Sequence, residues 1–290
     1  MSNLNCLSAS GGDVPVVALH CSGATAGEWR QLRERLGAGG RLYAPEHYGC
    51  ESVGPWTGLG RFSLADEAAR TIDLIDALSE PVHLVGHSYG GGLALHIALA
   101  VTRKHPQRIA SLSLYEPSAF NLLRHFGAEG LAGFREISML TEHVGADILA
   151  GDYRSAAARF VDYWGGTGAW DATPAKVQAG IIRWMPKAPL DFGALIHEPV
   201  ALPALAGLQV PTLLIRGSDA PLPTSVIAEH LADILPNAGL RVVDGAGHMG
   251  PLTHVDAVNG LIVSHICGQS PLQSDAAPQS QAFLCFAEAS

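Results

Sequence analysis

The stretch Val82-His83-Leu84-Val85-Gly86-His87-Ser88-Tyr89-Gly90-Gly91-Gly92 decides how the rest of the chain is read. Pro81 opens it, and Val82 to Val85 is a short, largely apolar run that suits a buried strand. The pattern G-x-S-x-G (Gly86, Ser88, Gly90) follows at once. Behind it an apolar segment from about Gly91 to Ala100 reads as a helix that stops before Pro106. A serine on so sharp a strand-to-helix turn is pushed up and out of the sheet. Its neighbours must then lack side-chain bulk, which accounts for the flanking glycines. The helix turns its positive N-terminal end toward the serine, and that favours a developing oxyanion. Glycine and serine are common, so the pattern gains its weight from the strand before it and the helix after it.

Working outward, the same strand-and-helix alternation recurs on both sides. Val14 to Leu19, Leu42 to Ala44 and Ile109 to Tyr115 read as strands, and Glu28 to Leu36 has helical spacing. Ser63 to Leu78 is the clearest helix. Ser63 can cap it with Asp66 three residues on, and Leu64, Ala68, Ile72, Ile75 and Leu78 form one apolar stripe. After Leu208 come strand Thr212 to Arg216, helix Thr224 to Leu235, strand Leu240 to Val243 and helix Val255 to Ile266. Between Pro117 and Leu208 the rhythm changes to helices broken by glycine and proline. This division predicts an α/β core over 1–116 and 209–268, a helical insert over 117–208, and a flexible C-terminal tail over 269–290.

A serine hydroxyl is a poor nucleophile until a base takes its proton. Of thirteen histidines, placement selects His248, on the glycine-rich loop Gly245-Ala246-Gly247-His248-Met249-Gly250-Pro251 after the last strand. His83, His87 and His96 lie near Ser88 in sequence, but a strand and a helix fix their directions. The base in turn needs a carboxylate to hold its tautomer. Asp219, exposed by the turn Arg216-Gly217-Ser218-Asp219, is the first choice; Glu116, at the end of the strand Ile109 to Tyr115, is the rival. Two backbone N–H groups should hold the oxyanion: Tyr89, just after the serine, and one from His20-Cys21-Ser22-Gly23, with Ser22 first and Cys21 second. The insert's Phe120, Phe126, Phe134, Trp164, Trp170, Trp184, Met185 and Phe192 should mostly form its own core. Glu116, Trp164, Trp184 and Met249 are the candidates for a substrate pocket.

Bulk properties narrow the field. The 290 residues are 48% hydrophobic and 16% charged, which allows a large core. A net charge of −9 makes nucleic acid a poor partner, and no run of Lys/Arg invites an anionic membrane surface. No apolar stretch is long enough to span a bilayer, and Met1 to Ser10 lacks the pattern of a secretory signal. Five widely spaced cysteines without a CxxC argue against a disulfide frame or zinc knuckle and for a reducing, cytoplasmic setting. Nothing in the sequence speaks to oligomeric state.

With these residues in place, the chain resembles the α/β-hydrolase superfamily, on its serine-esterase side, from about Val14 to Cys267. The matching pieces are Gly86-His87-Ser88-Tyr89-Gly90, Gly217-Ser218-Asp219 and Gly247-His248. The resemblance implies a mostly parallel central sheet flanked by helices, with the insert as a cap. It also implies an acyl-enzyme reaction carried by Ser88, His248 and Asp219 on a small or medium ester, without metal or organic cofactor. The same residues would serve hydrolysis of a lactone, a thioester or a carbon–carbon bond in a β-diketone-like substrate. The reading from a different class, a noncatalytic ligand binder, has no use for all three groups. Two departures stand out. His20-Cys21 replaces the usual His-Gly, and Pro45-Glu46-His47-Tyr48-Gly49-Cys50-Glu51-Ser52 replaces Pro-Asp followed by Gly-x-Gly-x-Ser. The short N-terminus further implies that one or two early strands of the full sheet are absent.

Overall fold

Runs such as Val-Val-Ala-Leu and Thr-Leu-Leu-Ile have no polar face, so the strands they form must be covered on both sides. The computed structural model, which describes residues 15–37, 40–199 and 202–268, satisfies this with one parallel sheet between helical layers. Its strands are β1 (Val16–Leu19), β2 (Leu42–Tyr43), β3 (Val82–His87), β4 (Ile109–Tyr115), β5 (Thr212–Gly217) and β6 (Ala238–Val243), in the order β2-β1-β3-β4-β5-β6. Every pairing is parallel. Among the described residues these are the six strands; the expectation about earlier strands falls on residues outside them, as do the predicted tail over 269–290, Cys6 and Cys285. Cys21 and Cys50 are free thiols.

Register aligns the strand ends. Leu19 pairs with Gly86, His87 with Tyr115, and Gly217 with Val243. The loops leaving these ends therefore open on one edge of the sheet, where ligands of open α/β sheets bind. They carry Ser22, Ser88, Glu116, Asp219 and His248.

The core helices are α1 (Arg30–Leu36), α2 (Leu64–Ala77) and α3 (Tyr89–Lys104). Ser63 caps α2 as expected: its hydroxyl accepts the Asp66 N–H, and Asp66 accepts the Ser63 N–H at 2.9 Å. Between β4 and β5 the chain is helical, with α4 (Gly127–Leu149), α5 (Tyr153–Gly165), α6 (Ala175–Trp184) and α7 (Ala188–Ile196). Phe120, Trp164, Trp184 and Phe192 from this insert share one apolar cluster with Leu19, Leu84 and Tyr89 below. The last helices, α8 (Leu222–Ile234) and α9 (Val255–Ile266), complete the core. No helix among the described residues is long and apolar enough to cross a membrane.

The glycines around Ser88 are required by close approach. A Cβ on Gly86 would lie 2.3 Å from the Gly90 carbonyl oxygen, and one on Gly90 would lie 2.2 Å from that of Leu19. Both contacts are to backbone, which cannot swing aside. Gly90→Ala is expected to cost about 1–3 kcal/mol by overpacking. At roughly 2–4 °C per kcal/mol for a chain of this size, thermal denaturation should show a clear drop; an unchanged melting temperature would contradict the packing.

Candidate active site

Ser88 leaves β3 with φ 54° and ψ −118°. Among the described residues only two non-glycine positions have positive φ, Ser88 and Glu116 (φ 40°). Such backbone costs about 1–3 kcal/mol per residue and survives where the surroundings hold it for a purpose. The two strained residues flank one imidazole. His248 Nε2 is 2.9 Å from Ser88 Oγ, and His248 Nδ1 is 2.7 Å from Glu116 Oε2. A carboxylate only accepts, so Nδ1 carries the proton and Nε2 accepts the Ser88 hydroxyl.

Glu116 thus takes the position expected of Asp219. Its side chain is fully buried and also accepts the Gly217 N–H at 3.0 Å and the Thr224 hydroxyl at 2.8 Å. Asp219 is exposed. Its N–H donates to Ala246 O at 2.9 Å; among the described residues its carboxylate accepts only the neighbouring Ser218 hydroxyl, and it makes no bond to His248. The Ser218 and Asp219 N–H groups bond to Val243 O and Ala246 O, which fixes the backbone of the turn 217–219 while the Asp219 side chain is exposed.

Electrostatics fit a base waiting for a proton. Burial raises the Glu116 carboxyl, but the hydrogen bond and charge of His248, then Gly217 and Thr224, outweigh this and hold it below the usual range. Burial pushes His248 below the ordinary histidine value; Glu116 pulls it back in part, and His87 adds to the lowering. Trp164 covers the ring, with centroids 4.2 Å apart.

On the other side of Ser88, the Tyr89 and Ser22 residues border the same pocket. The Cys21 N–H is occupied by Glu28 Oε2 at 2.9 Å, whereas no acceptor among the described residues takes the Ser22 N–H. Ser22 is therefore the better placed of the two expected oxyanion donors. His20 beneath this loop is neutral, pushed down to about 3 by burial and by His47.

A profile of the alpha/beta hydrolase family matches residues 16–261. The chain belongs to that family. The magnesium-chelatase 30 kDa subunit of Rhodobacter capsulatus is 31% identical over 271 residues, 88% of each chain. A 2-hydroxy-6-oxononadienedioate/2-hydroxy-6-oxononatrienedioate hydrolase of Paraburkholderia xenovorans (strain LB400) is 27% identical over 283 residues, 89% of this chain and 88% of that one. Among solved structures, a hydrolase from Pseudomonas aeruginosa PA01 superposes with a TM-score of 0.69 at 23% identity, over 88% of this chain and 91% of that one. That likeness is one of fold.

In this alpha/beta hydrolase the pocket over Ser88 is small, about 270 Å³ with its open mouth included. Phe120, Phe160, Trp164, Trp184 and Phe192 give it an aromatic wall, and Ser22, Ser118 and Asp191 supply polar atoms. Trp164 and Trp184 stand where the sequence placed them. Met249 does not line the pocket; it packs part-buried against the core, directed there by the short helical turn that begins at Gly250. Glu116 lies beneath the imidazole rather than in the wall.

Sequence reasoning missed Asp191, Ser118 and Phe160. Ser118 Oγ is 3.2 Å from Ser88 Oγ. Asp191 accepts the Ser22 hydroxyl at 2.7 Å and an ammonium proton from Lys187, which also donates to Glu67 at 2.8 Å. Burial pushes Asp191 up to about 6 against the pull of Lys187. A signal existed: Lys187 and Asp191 are spaced i,i+4 in an otherwise apolar helix start. For a metal, Cys21, Glu28 and His87 bring ligand atoms within 4.8 Å of one another. However, Glu28 and His87 already bond each other, and burial and Glu28 push the Cys21 thiol well up, away from the thiolate a metal needs.

Proposed function

We propose that this protein is a serine hydrolase that cleaves a small, uncharged ester, through attack by Ser88, proton transfer by His248 and support from Glu116. The observation that carries the reading is the unbroken row Glu116–His248–Ser88, set on two strained residues with free space beside the hydroxyl. Ser88 Oγ adds to the acyl carbon as Nε2 takes its proton. The N–H groups of Tyr89 and Ser22 then hold the oxyanion. His248 returns the proton to the leaving alcohol, and water reverses the sequence. The helices of 117–208 serve as the cap, closing water out with aromatic rings.

Pocket chemistry favours a neutral substrate. The described residues lining it include no lysine or arginine, and they do include Asp191. Lys187 is close, but its hydrogen bonds go to Glu67 and Asp191. The name of the Paraburkholderia relative describes hydrolysis of a dicarboxylate; a dianion would meet Asp191 here, and the nearby cation, Lys187, is already shared between Asp191 and Glu67. An aromatic wall suits a small acyl group instead.

The test is a fluorophosphonate probe with peptide mapping, alongside p-nitrophenyl esters from acetate to octanoate. Labelling at Ser88 with turnover that falls as the acyl chain grows is expected. Folded protein that takes no label would overturn the reading.

Trp184 also borders a wide groove lined by Gly23, Thr25, Gly49, Trp56 and Arg183, so its indole is the partition between pocket and solvent. It packs onto glycines: a Cβ on Gly23 would lie 3.2 Å from it, and one on Gly49 3.1 Å. Trp184→Ala is expected to raise kcat/KM for octanoate relative to acetate by about tenfold, the discrimination worth of a few methylenes in an apolar pocket. An unchanged ratio would place the acyl group elsewhere.

A further inference from the structure

His87 meets an acceptor at each ring nitrogen. Nδ1 lies 2.7 Å from Glu28 Oε1, and Nε2 lies 2.8 Å from the backbone oxygen of His248. A carbonyl oxygen cannot donate, so Nε2 carries a proton. The other nitrogen then either carries a second proton or accepts one from a neutral Glu28. Glu28 Oε2 decides between these, because it also accepts the Cys21 N–H at 2.9 Å, a bond that a carboxylate makes more strongly than an acid does.

We propose that Glu28 holds His87 as a buried imidazolium, and that the hydrogen-bond bridge the two side chains make is the positioning device that joins the oxyanion loop to the loop carrying His248. The proposal rests on the reading of Ser88 as nucleophile. Three segments converge on the pair. Glu28 grips Cys21, the residue before the proposed oxyanion donor Ser22. His87 grips the backbone of His248. His87 is itself the residue before Ser88. Both side chains are nearly inaccessible, 0% and 1% exposed, so salt and water do not loosen the link.

The surroundings agree. The charged or titratable groups facing the His87 ring are Glu28, Glu116, the Cys21 thiol, Tyr115, whose ring centroid is 5.5 Å away, and His248, whose ring centroid is 5.1 Å away; His20 faces Glu28 from the oxyanion loop. Burial opposes both charges, but their mutual attraction holds His87 above, and Glu28 below, the ordinary values. Glu28 belongs to the short helical turn Ala26–Trp29, placed under the oxyanion loop by burial of Trp29.

Two variants separate charge from shape. In Glu28→Gln the amide oxygen can still accept from Cys21 while its NH₂ donates to a neutral His87, so the hydrogen-bond pattern survives without the charges. Glu28→Ala breaks the pattern. Histidine-selective ¹⁵N NMR of the whole protein at pH 8, with the His87 signal assigned by its loss in His87→Gln, is expected to show both ring nitrogens protonated in the wild type. In Glu28→Gln one nitrogen should be unprotonated. A neutral His87 in the folded wild type overturns the proposal. In ester assays Glu28→Ala should lower kcat about 10–100-fold with little change in KM, as misplaced groups do, and Glu28→Gln should restore most of it. Folded Glu28→Ala with wild-type kcat overturns the positioning role. Should Glu28→Ala fail to fold, the NMR comparison of wild type with Glu28→Gln still decides. Failure of Ser88 to take a fluorophosphonate would overturn the proposed function, not the imidazolium.

Discussion

Glu116→Gln is expected to lower kcat on a p-nitrophenyl ester by roughly 10³–10⁴-fold, the scale of a triad whose base is held in the wrong tautomer. Asp219→Asn should leave it within about twofold, since an exposed turn side chain away from the site carries little of the transition-state stabilisation. The size of the first effect follows from donor and acceptor counts. Glu116 Oε1 accepts the Gly217 N–H, a backbone donor that cannot turn round. A glutamine would therefore put its oxygen there and present its NH₂ to His248 and Thr224. The Thr224 hydroxyl can rotate to accept, and it already has a second acceptor of its own in Pro221 O at 3.2 Å. The imidazole can adapt only by moving its proton to Nε2, and then nothing remains to take the Ser88 proton. The residual rate should also show a changed pH dependence. His248 works as a base only when neutral, so kcat/KM rises with pH through its pKa, which burial already places below the ordinary histidine value. Glu116 pulls that pKa upward. Removing its charge should move the acid limb to still lower pH. Loss of activity in Asp219→Asn with full activity in Glu116→Gln would refute the assignment.

Why residue types favour Asp219 while the structure sets Glu116 against His248 is a matter of what leaves a trace in a sequence. Gly86 and Gly90 announce the turn because backbone atoms approach where any Cβ would sit. His248 stands out because a loop histidine after the last strand has a free direction. Glu116 has neither mark. Its left-handed backbone holds a glutamate where glycine would be the usual signal, so residue types do not reveal the strain. Asp219 sits in a Gly-Ser-Asp turn, a setting in which aspartate is ordinary for local reasons. Apolar runs carried most of the sheet, because the inner strands β1, β3, β4 and β5 are buried on both faces and must be largely apolar, while the edge strand β6 is only part-buried. Pocket membership was less legible. Helical spacing separates buried from exposed positions but does not say which buried ring faces a cavity, so it does not mark Phe160, and a loop position such as Met249 carries no periodicity to show that it turns to the core instead. His87 was set aside because its strand fixes its direction. That reasoning holds for Ser88, but the direction so fixed leads to Glu28, 59 residues away in sequence, which no local pattern can pair with it.

Substitution of Ser88 should separate function from stability in opposite senses. Ser88→Ala is expected to abolish covalent labelling and to lower ester turnover at least about 10³-fold, as loss of a nucleophile does even when the oxyanion donors remain. Its stability should change little, because alanine keeps the Cβ that makes φ 54° costly. Ser88→Gly should be equally inactive yet more stable. The strain at such a position is about 1–3 kcal/mol. Against it stands about 0.4–1 kcal/mol for the added freedom of glycine in the unfolded chain. A net gain of about 1–2 kcal/mol, or roughly 2–8 °C in melting temperature for a chain of this length, should appear in thermal denaturation. The contrast between the two variants matters more than either value. If strain at Ser88 exists to aim a hydroxyl at His248, relieving it makes a sturdier protein without chemistry, the expected trade between activity and stability at a working site. Near wild-type turnover in Ser88→Ala would mean that another group attacks the substrate, and a glycine variant that melts lower than the alanine one would mean that the turn is not strained at all.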